Sequence, residues 1–253
     1  TIYQNAYVRT DSYFDNSPLA SSGLPSKNEL ELLNVWKDKI PAEVFTETFT
    51  PPITDGSGND RKNLLKAKEI LEKEGWFVED GKLVKDGKEF KFEFLIVSPS
   101  DEKIALAYQS NLKKLGITMD VRTVDSSQYQ ERLLSYDFDM IKRYWGVSLS
   151  PGNEQQFYWG SEVGQKDGSR NYPGINSPAV DALIEKLISA TNREELTTAI
   201  HALDRVLLWG HYVVPLYHSN KDRIAYWDFF EYPDEIPLYG IVIESWWINK
   251  DKQ

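Results

Sequence analysis

Residues 89–145 read EFKFEFLIVSPSDEKIALAYQSNLKKLGITMDVRTVDSSQYQERLLSYDFDMIKRYW, and the order of their apolar periods decides the fold class. Phe90, Phe92, Phe94 and Ile96 alternate with Lys91 and Glu93, the two-residue period of a strand. Ser100 then caps a helix with the stripe Ile104, Tyr108, Leu112 and Leu115, stopped by Gly116. A strand is predicted over 117–124, a Ser126-capped helix carrying Tyr129 and Leu133 after it, and a third strand over 139–145. Two helices joining three extended segments predict an α/β fold with a mixed, mostly parallel sheet flanked by helices. Ligands of such sheets sit beyond the carboxyl ends of the strands.

The stretch at that position is 144–160, YWGVSLSPGNEQQFYWG. Its centre (Ser148, Ser150, Pro151, Gly152, Asn153) is turn-forming, and Tyr144, Trp145, Phe157, Tyr158 and Trp159 stand at its two ends. Flat apolar rings beside adaptable hydrogen-bonding groups suit recognition. The plainer alternative is a surface loop anchored by its rings.

Upstream, 9–26 ends in the turn-rich SSGLPS. A helix is predicted next, with Leu30, Leu33 and Val35–Trp36 apolar and Pro41 closing it, followed by a strand-like alternation over 43–50. The run at 55–60, DGSGND, lacks the twelfth-position Glu of a calcium loop and reads as a turn, with Asn59 or Asp60 capping a helix over 61–74. Asp80-Gly81 and Asp86-Gly87 predict tight hairpins between short strands. Downstream, a helix over 176–190 carries Val180, Leu183, Ile184 and Leu187. Asn192 and Glu195 predict a capping box for another, with Leu196, Ala199, Ile200, Leu203 and Val206–Leu207 on its apolar face. Residues 212–253 read as extended, aromatic-rich pieces divided by prolines.

The 253 residues are 41% hydrophobic and 27% charged, enough for a full core. No run of about 18 apolar residues is present, so no membrane span is predicted. The opening TIYQNAYVRT resembles neither a signal peptide nor an initiating segment, which predicts a processed chain or a piece of a longer one. The net charge of −10 and scattered basic residues give no stripe for nucleic acid. With no cysteine, disulfides, thiolate metal sites and cysteine nucleophiles are excluded. His201, His211 and His218 show no metal-ligand spacing, and no phosphate cradle or nucleophile elbow occurs, so no cofactor, metal or enzymatic role is predicted. The 39 acidic residues leave open a carbohydrate-active enzyme with paired carboxylates.

Several blocks carry a resemblance: RTDSYFDNSPLASSGLPS (9–26), AKEILEKEGW (67–76), LGITMDVRTVDSSQYQERL (115–133), FDM…YWGVSLSPGNEQ (138–156), ALDRVLLWGHYVVPLYHS (202–219) and Trp246–Trp247. Together they resemble the C-terminal part of the extracytoplasmic solute-binding proteins of ABC importers, in the peptide/nickel/opine class and its YejA-like branch. The resemblance implies a periplasmic-binding-protein-like II lobe, a periplasmic monomer that takes a peptide or other small solute and docks on the transmembrane subunits of a permease. A sensing domain that does not transport is a further alternative. It also implies a division into a ligand-closing lobe, 1–211, and a segment, 212–253, that returns to a second lobe, with bare apolar surface there. Tyr144 and Trp145 would stack on the solute. Gly146, Ser148, Ser150 and Asn153 would hydrogen-bond it, and Lys142 or Arg143 would meet an anionic group. Arg9 and Asp11 read as structural. Peptide-binding relatives place an aspartate shortly after the equivalent of Trp145 to hold the peptide ammonium. Ser148 stands there instead, so the ammonium clamp is missing.

Overall fold

The computed structural model describes residue 3 and residues 6–54, 56, 58 and 60–252. In chain order the elements are β1 (Val8–Arg9), α1 (Lys27–Leu33), α2 (Glu43–Thr46), α3 (Arg61–Lys73), β2 (Phe77–Glu79), β3 (Lys82–Lys85), β4 (Lys88–Glu89), β5 (Lys91–Ile96), α4 (Pro99–Lys113), β6 (Thr118–Thr123), α5 (Ser126–Leu134) and β7 (Met140–Ile141). Then follow α6 (Glu154–Trp159), α7 (Pro178–Ile188), α8 (Arg193–Trp209), β8 (Tyr217–His218), β9 (Phe230–Glu231) and β10 (Trp247–Ile248).

Strand β5 lies at the centre of a three-stranded sheet, with β6 and β7 parallel to it on either side. Both faces are covered. Phe94 and Ile96 pack with Ala105 and Met119 on one side, and Leu95 packs with Val124, Tyr129 and Leu133 on the other. The predicted helix–strand alternation is therefore present, and a sheet covered on both faces is what parallel strands require. The Asp80-Gly81 and Asp86-Gly87 turns have positive φ at both central residues, the geometry of two-residue hairpins, and they join β2, β3 and β4. Gly116 closes α4 at φ +81°, and a Cβ there would lie 2.8 Å from the Leu83 backbone nitrogen. That nitrogen donates to the Gly116 carbonyl at 2.7 Å, docking the hairpins on the sheet.

A second core forms without strands. Helices α1, α2, α7 and α8 enclose Leu33, Val44, Leu183, Ile184, Leu203 and Leu207, together with Phe14 and Leu19 from the N-terminal segment. That segment is irregular, so its backbone needs partners from elsewhere. They come from α8. The fully buried Asp204 accepts from Ser12 Oγ (2.8 Å), Tyr13 N (2.8 Å), Ser21 N (2.9 Å) and Ser21 Oγ (2.7 Å). Next to it, Arg205 pairs with Glu29 at 2.6 Å and donates to the carbonyls of Gly23 (2.7 Å) and Ser22 (2.8 Å). Burial pushes the Asp204 carboxyl up. Burial acts the same way on Glu29, but the neighbouring His201 ring and the Arg205 guanidinium outweigh it and hold that carboxyl at about 2.

Several local expectations are corrected. The alternation over 43–50 forms the short helix α2, because Val44 is drawn into the helical core; irregular chain follows it. Val35 is 77% exposed, since the chain tightens to a 3-10 turn after Leu33 and rotates it outward. Ser98 caps α4 ahead of Pro99, and Asp125 caps α5 by accepting from Ser127 and Gln128. Asn192 caps α8, but the Glu195 carboxylate turns to Thr191; the reciprocal box forms at Ser26 and Glu29 of α1. The third strand of the sheet spans two residues rather than 139–145. Helix α3 forms where expected, capped by Asp60, yet none of its residues is buried. Asp55, Ser57 and Asn59 of the 55–60 turn lie outside the described residues.

The chain after 212 is extended as expected, with β8 pairing with β1 and β9 with β10, both antiparallel. Among the described residues no helix is long and apolar enough to cross a membrane.

The clamp on α8 sets two expectations. Asp204→Ala leaves several inward donors without a partner and is expected to lower stability by about 3 kcal/mol, read as a fall in the urea midpoint. Because Glu29 titrates in the folded chain at about 2 rather than 4.5, its stabilisation is complete above 4.5 and is lost as pH falls towards 2. Unfolding midpoints measured from pH 2 to 6 should fall along that limb, and Glu29→Gln should be less stable near neutrality with a flatter acid limb.

Candidate functional site

The carboxyl end of β7 delivers residues 142–146 to the rim of the sheet. Lys142 is turned inward, with its ammonium 2.5 Å from Asp101 at the start of α4. It also lies 6.0 Å from the centre of the Tyr217 ring. Its charge is thus met within the chain. Arg143 is exposed; its Nη2 donates to the Tyr172 hydroxyl at 3.2 Å and its guanidinium lies 5.0 Å from the centre of that ring.

Trp145 is held more firmly than its neighbours. Its indole packs 4.8 Å from the buried Trp159 of α6, centroid to centroid, and its Nε1 donates to the Arg170 carbonyl at 3.4 Å. Trp159 in turn meets Tyr13 edge-on, and its own Nε1 donates to the buried Gln155. Tyr144, by contrast, is 88% exposed. A ring that bare makes no use of its apolar area within the described chain.

Arg143, Tyr144, Trp145 and Gly146 form one side of a cleft of about 170 Å³, and Tyr158, Arg170 and Tyr172 complete it. An added Cβ at Gly146 would meet nothing within 4 Å, so its backbone is open to a ligand. Among the described residues, no carboxylate lines this cleft. The distal wall, 170–172, is irregular chain held in place by Asn171. That fully buried amide donates to the carbonyls of Gly160 (3.0 Å) and Ile175 (2.8 Å) and accepts from Ile175 N (2.8 Å).

The sequence-predicted residues therefore divide. Arg143, Tyr144, Trp145 and Gly146 come together in the cleft, whereas Lys142 is paired beneath it. Ser148, Ser150 and Asn153 lie further along the loop, all exposed, outside the cleft lining. The Ser148 hydroxyl accepts from Ser150 N at 3.1 Å, and Arg193 at the start of α8 donates to the Leu149 carbonyl at 2.5 Å. The stretch 144–160 is not one loop, because its second half is α6 and Trp159 belongs to the core. In the sequence Tyr158 stands only as a ring at the loop's end, and Arg170 and Tyr172 lie outside the stretch that the strand order marks. Their one sequence signal is a cation and a ring flanking an asparagine in the turn-rich DGSRNYPG.

A smaller polar cluster lies where β1 meets β8. Thr10 Oγ1 is 3.2 Å from His218 Nδ1, Asp15 is 3.4 Å from the same nitrogen, and Asp11 N donates to Asp15 at 3.0 Å. Burial and the neighbouring Asp15 push the Asp11 carboxyl up. These contacts tie the N-terminal segment to the 212–253 region.

Comparison with other proteins bears on what this geometry serves. The sequence model of the bacterial extracellular solute-binding proteins, family 5, matches residues 1–167. The y4wM protein of Sinorhizobium fredii is 49% identical over 98% of this chain and 38% of its own length. A protein of Agrobacterium fabrum described as a probable peptide-binding protein, YejA, is 42% identical over 99% of this chain and 41% of its own length. The chain thus spans about two fifths of the curated relatives it matches. Among solved structures, a periplasmic oligopeptide-binding protein of an ABC transporter from Thermotoga maritima, bound to mannohexaose, superposes with a TM-score of 0.60. It is 20% identical, over 87% of this chain and 38% of that one, a likeness of fold.

Because Asn171 alone supplies three hydrogen bonds that position the distal wall, Asn171→Ala is expected to cost about 2–3 kcal/mol, read by urea unfolding. Asn171→Asp, which turns a carboxylate oxygen towards the Gly160 and Ile175 carbonyls in a fully buried site, should cost at least as much.

Proposed function

The chain belongs to the bacterial extracellular solute-binding proteins of family 5, and on that premise we propose that the whole protein captures an oligopeptide-like or opine-like solute outside the cytoplasm and delivers it to the membrane permease of an ABC importer. It acts as a periplasmic monomer. Residues 1–211 form a ligand-closing lobe, and 212–253 return to a second lobe that completes the pocket. Solute favours the closed state by binding it more tightly than the open one.

The observation that carries this reading is the cleft at the carboxyl end of β7, where an exposed Tyr144, a braced Trp145 and the open backbone of Gly146 converge. Trp145 and Tyr144 supply stacking area. Ser148, Ser150 and Asn153, exposed on the adjoining loop, reach the solute when the lobes close. The division at 212 is supported by bare apolar side chains beyond it: Trp227 is 73% exposed, Leu238 82%, Tyr239 73% and Ile243 66%. Surface of that kind marks a missing contact.

A carbohydrate-active enzyme would need two carboxylates facing each other across the cleft, and the lining offers arginines and rings instead. That the Thermotoga maritima neighbour holds a hexasaccharide under an oligopeptide name argues that the lining, not the fold, selects the solute.

Calorimetric titration of the full two-lobed protein with a pool of free tripeptides tests the assignment. Trp145→Ala is expected to weaken binding about tenfold or more, and Ser148→Ala by a smaller factor. Unchanged affinity in both variants would refute this site.

A further inference from the structure

The loop that follows Trp145 is touched from a distant part of the chain. Arg193, the first residue of α8, donates from Nη1 to the Leu149 carbonyl at 2.5 Å, across 44 positions of sequence. The arginine stands where its own helix has least use for it. Its charge lies at the positive end of the α8 dipole, a place that favours anions, and Glu194 and Glu195 follow it there. Among the described residues it pairs with no carboxylate: Glu194 accepts from Asn28, and Glu195 turns to Thr191.

The loop is fixed at both feet and loose between them. At one foot Trp145 packs on Trp159. At the other Pro151 is buried and Gly152 N donates to the Glu154 carboxylate at 2.9 Å. Both feet therefore rest on α6. The five residues between them, 146–150, form no helix or strand, and Gly146, Val147, Ser148 and Ser150 are exposed. Among the described residues, their one internal tie is the Ser150 N–H on the Ser148 hydroxyl at 3.1 Å. A single neutral hydrogen bond does not offset the entropy of ordering five such residues. A guanidinium on a carbonyl is the stronger, charge-assisted kind. Here it springs from a rigid support: Asn192 caps α8 by accepting from Glu195 N at 3.0 Å, and Ala199, Ile200 and Leu203 bury the helix.

We propose that Arg193 is a positioning residue for the solute site: it pins the span 146–150 so that the Ser148 and Ser150 hydroxyls are presented beside the cleft, without itself touching the solute. The inference rests on reading those serines as part of the solute site. Because its oxygen accepts from Ser150 N, the Ser148 hydroxyl keeps its proton for a ligand, so the pinned turn is already arranged to donate. A span that wanders is competent to bind only part of the time, and the apparent dissociation constant rises as that fraction falls. The competing account is an exposed hydrogen bond that contributes nothing measurable.

Limited proteolysis with subtilisin reads the pin without any solute. In the unliganded, full two-lobed protein, cleavage within 146–150, located by mass spectrometry, should quicken about fivefold or more in Arg193→Ala, with the urea midpoint unchanged. Arg193→Lys, which restores one donor for the one carbonyl, should return most of the protection. Calorimetric titration with the tripeptide pool should show Arg193→Ala weakening binding about three- to tenfold and Arg193→Lys recovering most of the loss. Unchanged cleavage in Arg193→Ala, or a lysine variant no better than the alanine one, overturns the proposal. A fall in the urea midpoint large enough to account for the quicker cleavage does so too, since the contact would then be holding the fold. Faster cleavage with unchanged affinity, while Trp145→Ala still weakens binding, also refutes the positioning role and leaves the site reading intact. If the parent protein binds none of the tripeptides, the peptide reading falls by itself and cleavage still tests the pin.

Discussion

Two adjacent side chains on α8, Asp204 and Arg205, hold the irregular N-terminal segment to the helical core. Residues 9–26 contain no helix and, of the two-residue β1, only Arg9, so few of their backbone groups are satisfied within a regular element. Asp204 gathers donors from Ser12, Tyr13 and Ser21, and Arg205 gathers acceptors from Ser22, Gly23 and Glu29. A buried carboxylate costs several kcal/mol in desolvation, and four hydrogen bonds are what make it tolerable. The segment this clamp secures carries Phe14 and Leu19 into the core and Tyr13 against Trp159. Trp159 backs Trp145, so the rigidity of the cleft's near wall runs back to the same helix.

Much of this was legible in the sequence where a signal is local. The two-residue period of 90–96 announces β5, the Asp-Gly pairs announce their hairpins, and the stripes of α7 and α8 are buried as their spacing requires. The failures share a physical cause. Ser98, Ser100, Asp125 and Ser126 can all cap a helix, and which one does depends on where the preceding strand releases the chain. Val35 continues the apolar stripe of α1 on paper, but a tighter turn rotates it into solvent. The 43–50 alternation was overridden by the pull of one buried valine, Val44, on a short segment.

The site shows the same division. Arg143 to Gly146 could be placed because they stand at the carboxyl end of a predicted strand, and position at a strand end is a local fact. Arg170 and Tyr172 arrive from a turn about 26 residues later, placed by a single buried asparagine that bonds to Gly160 and Ile175. Nothing in their own neighbourhood announces that fold-back. Lys142 and Arg143 are equivalent in sequence; only the packing shows that Asp101 neutralises one and leaves the other facing the cleft.

The N-terminal clamp also carries a consequence in time. Ser12, Tyr13 and Ser21 bond to a residue 183 to 192 positions later in the chain. At translation rates of about 5–20 residues per second, residues 9–26 wait roughly ten to forty seconds for Asp204 to be made. Contacts between residues so far apart in sequence close a long loop, and pairings of that kind form slowly.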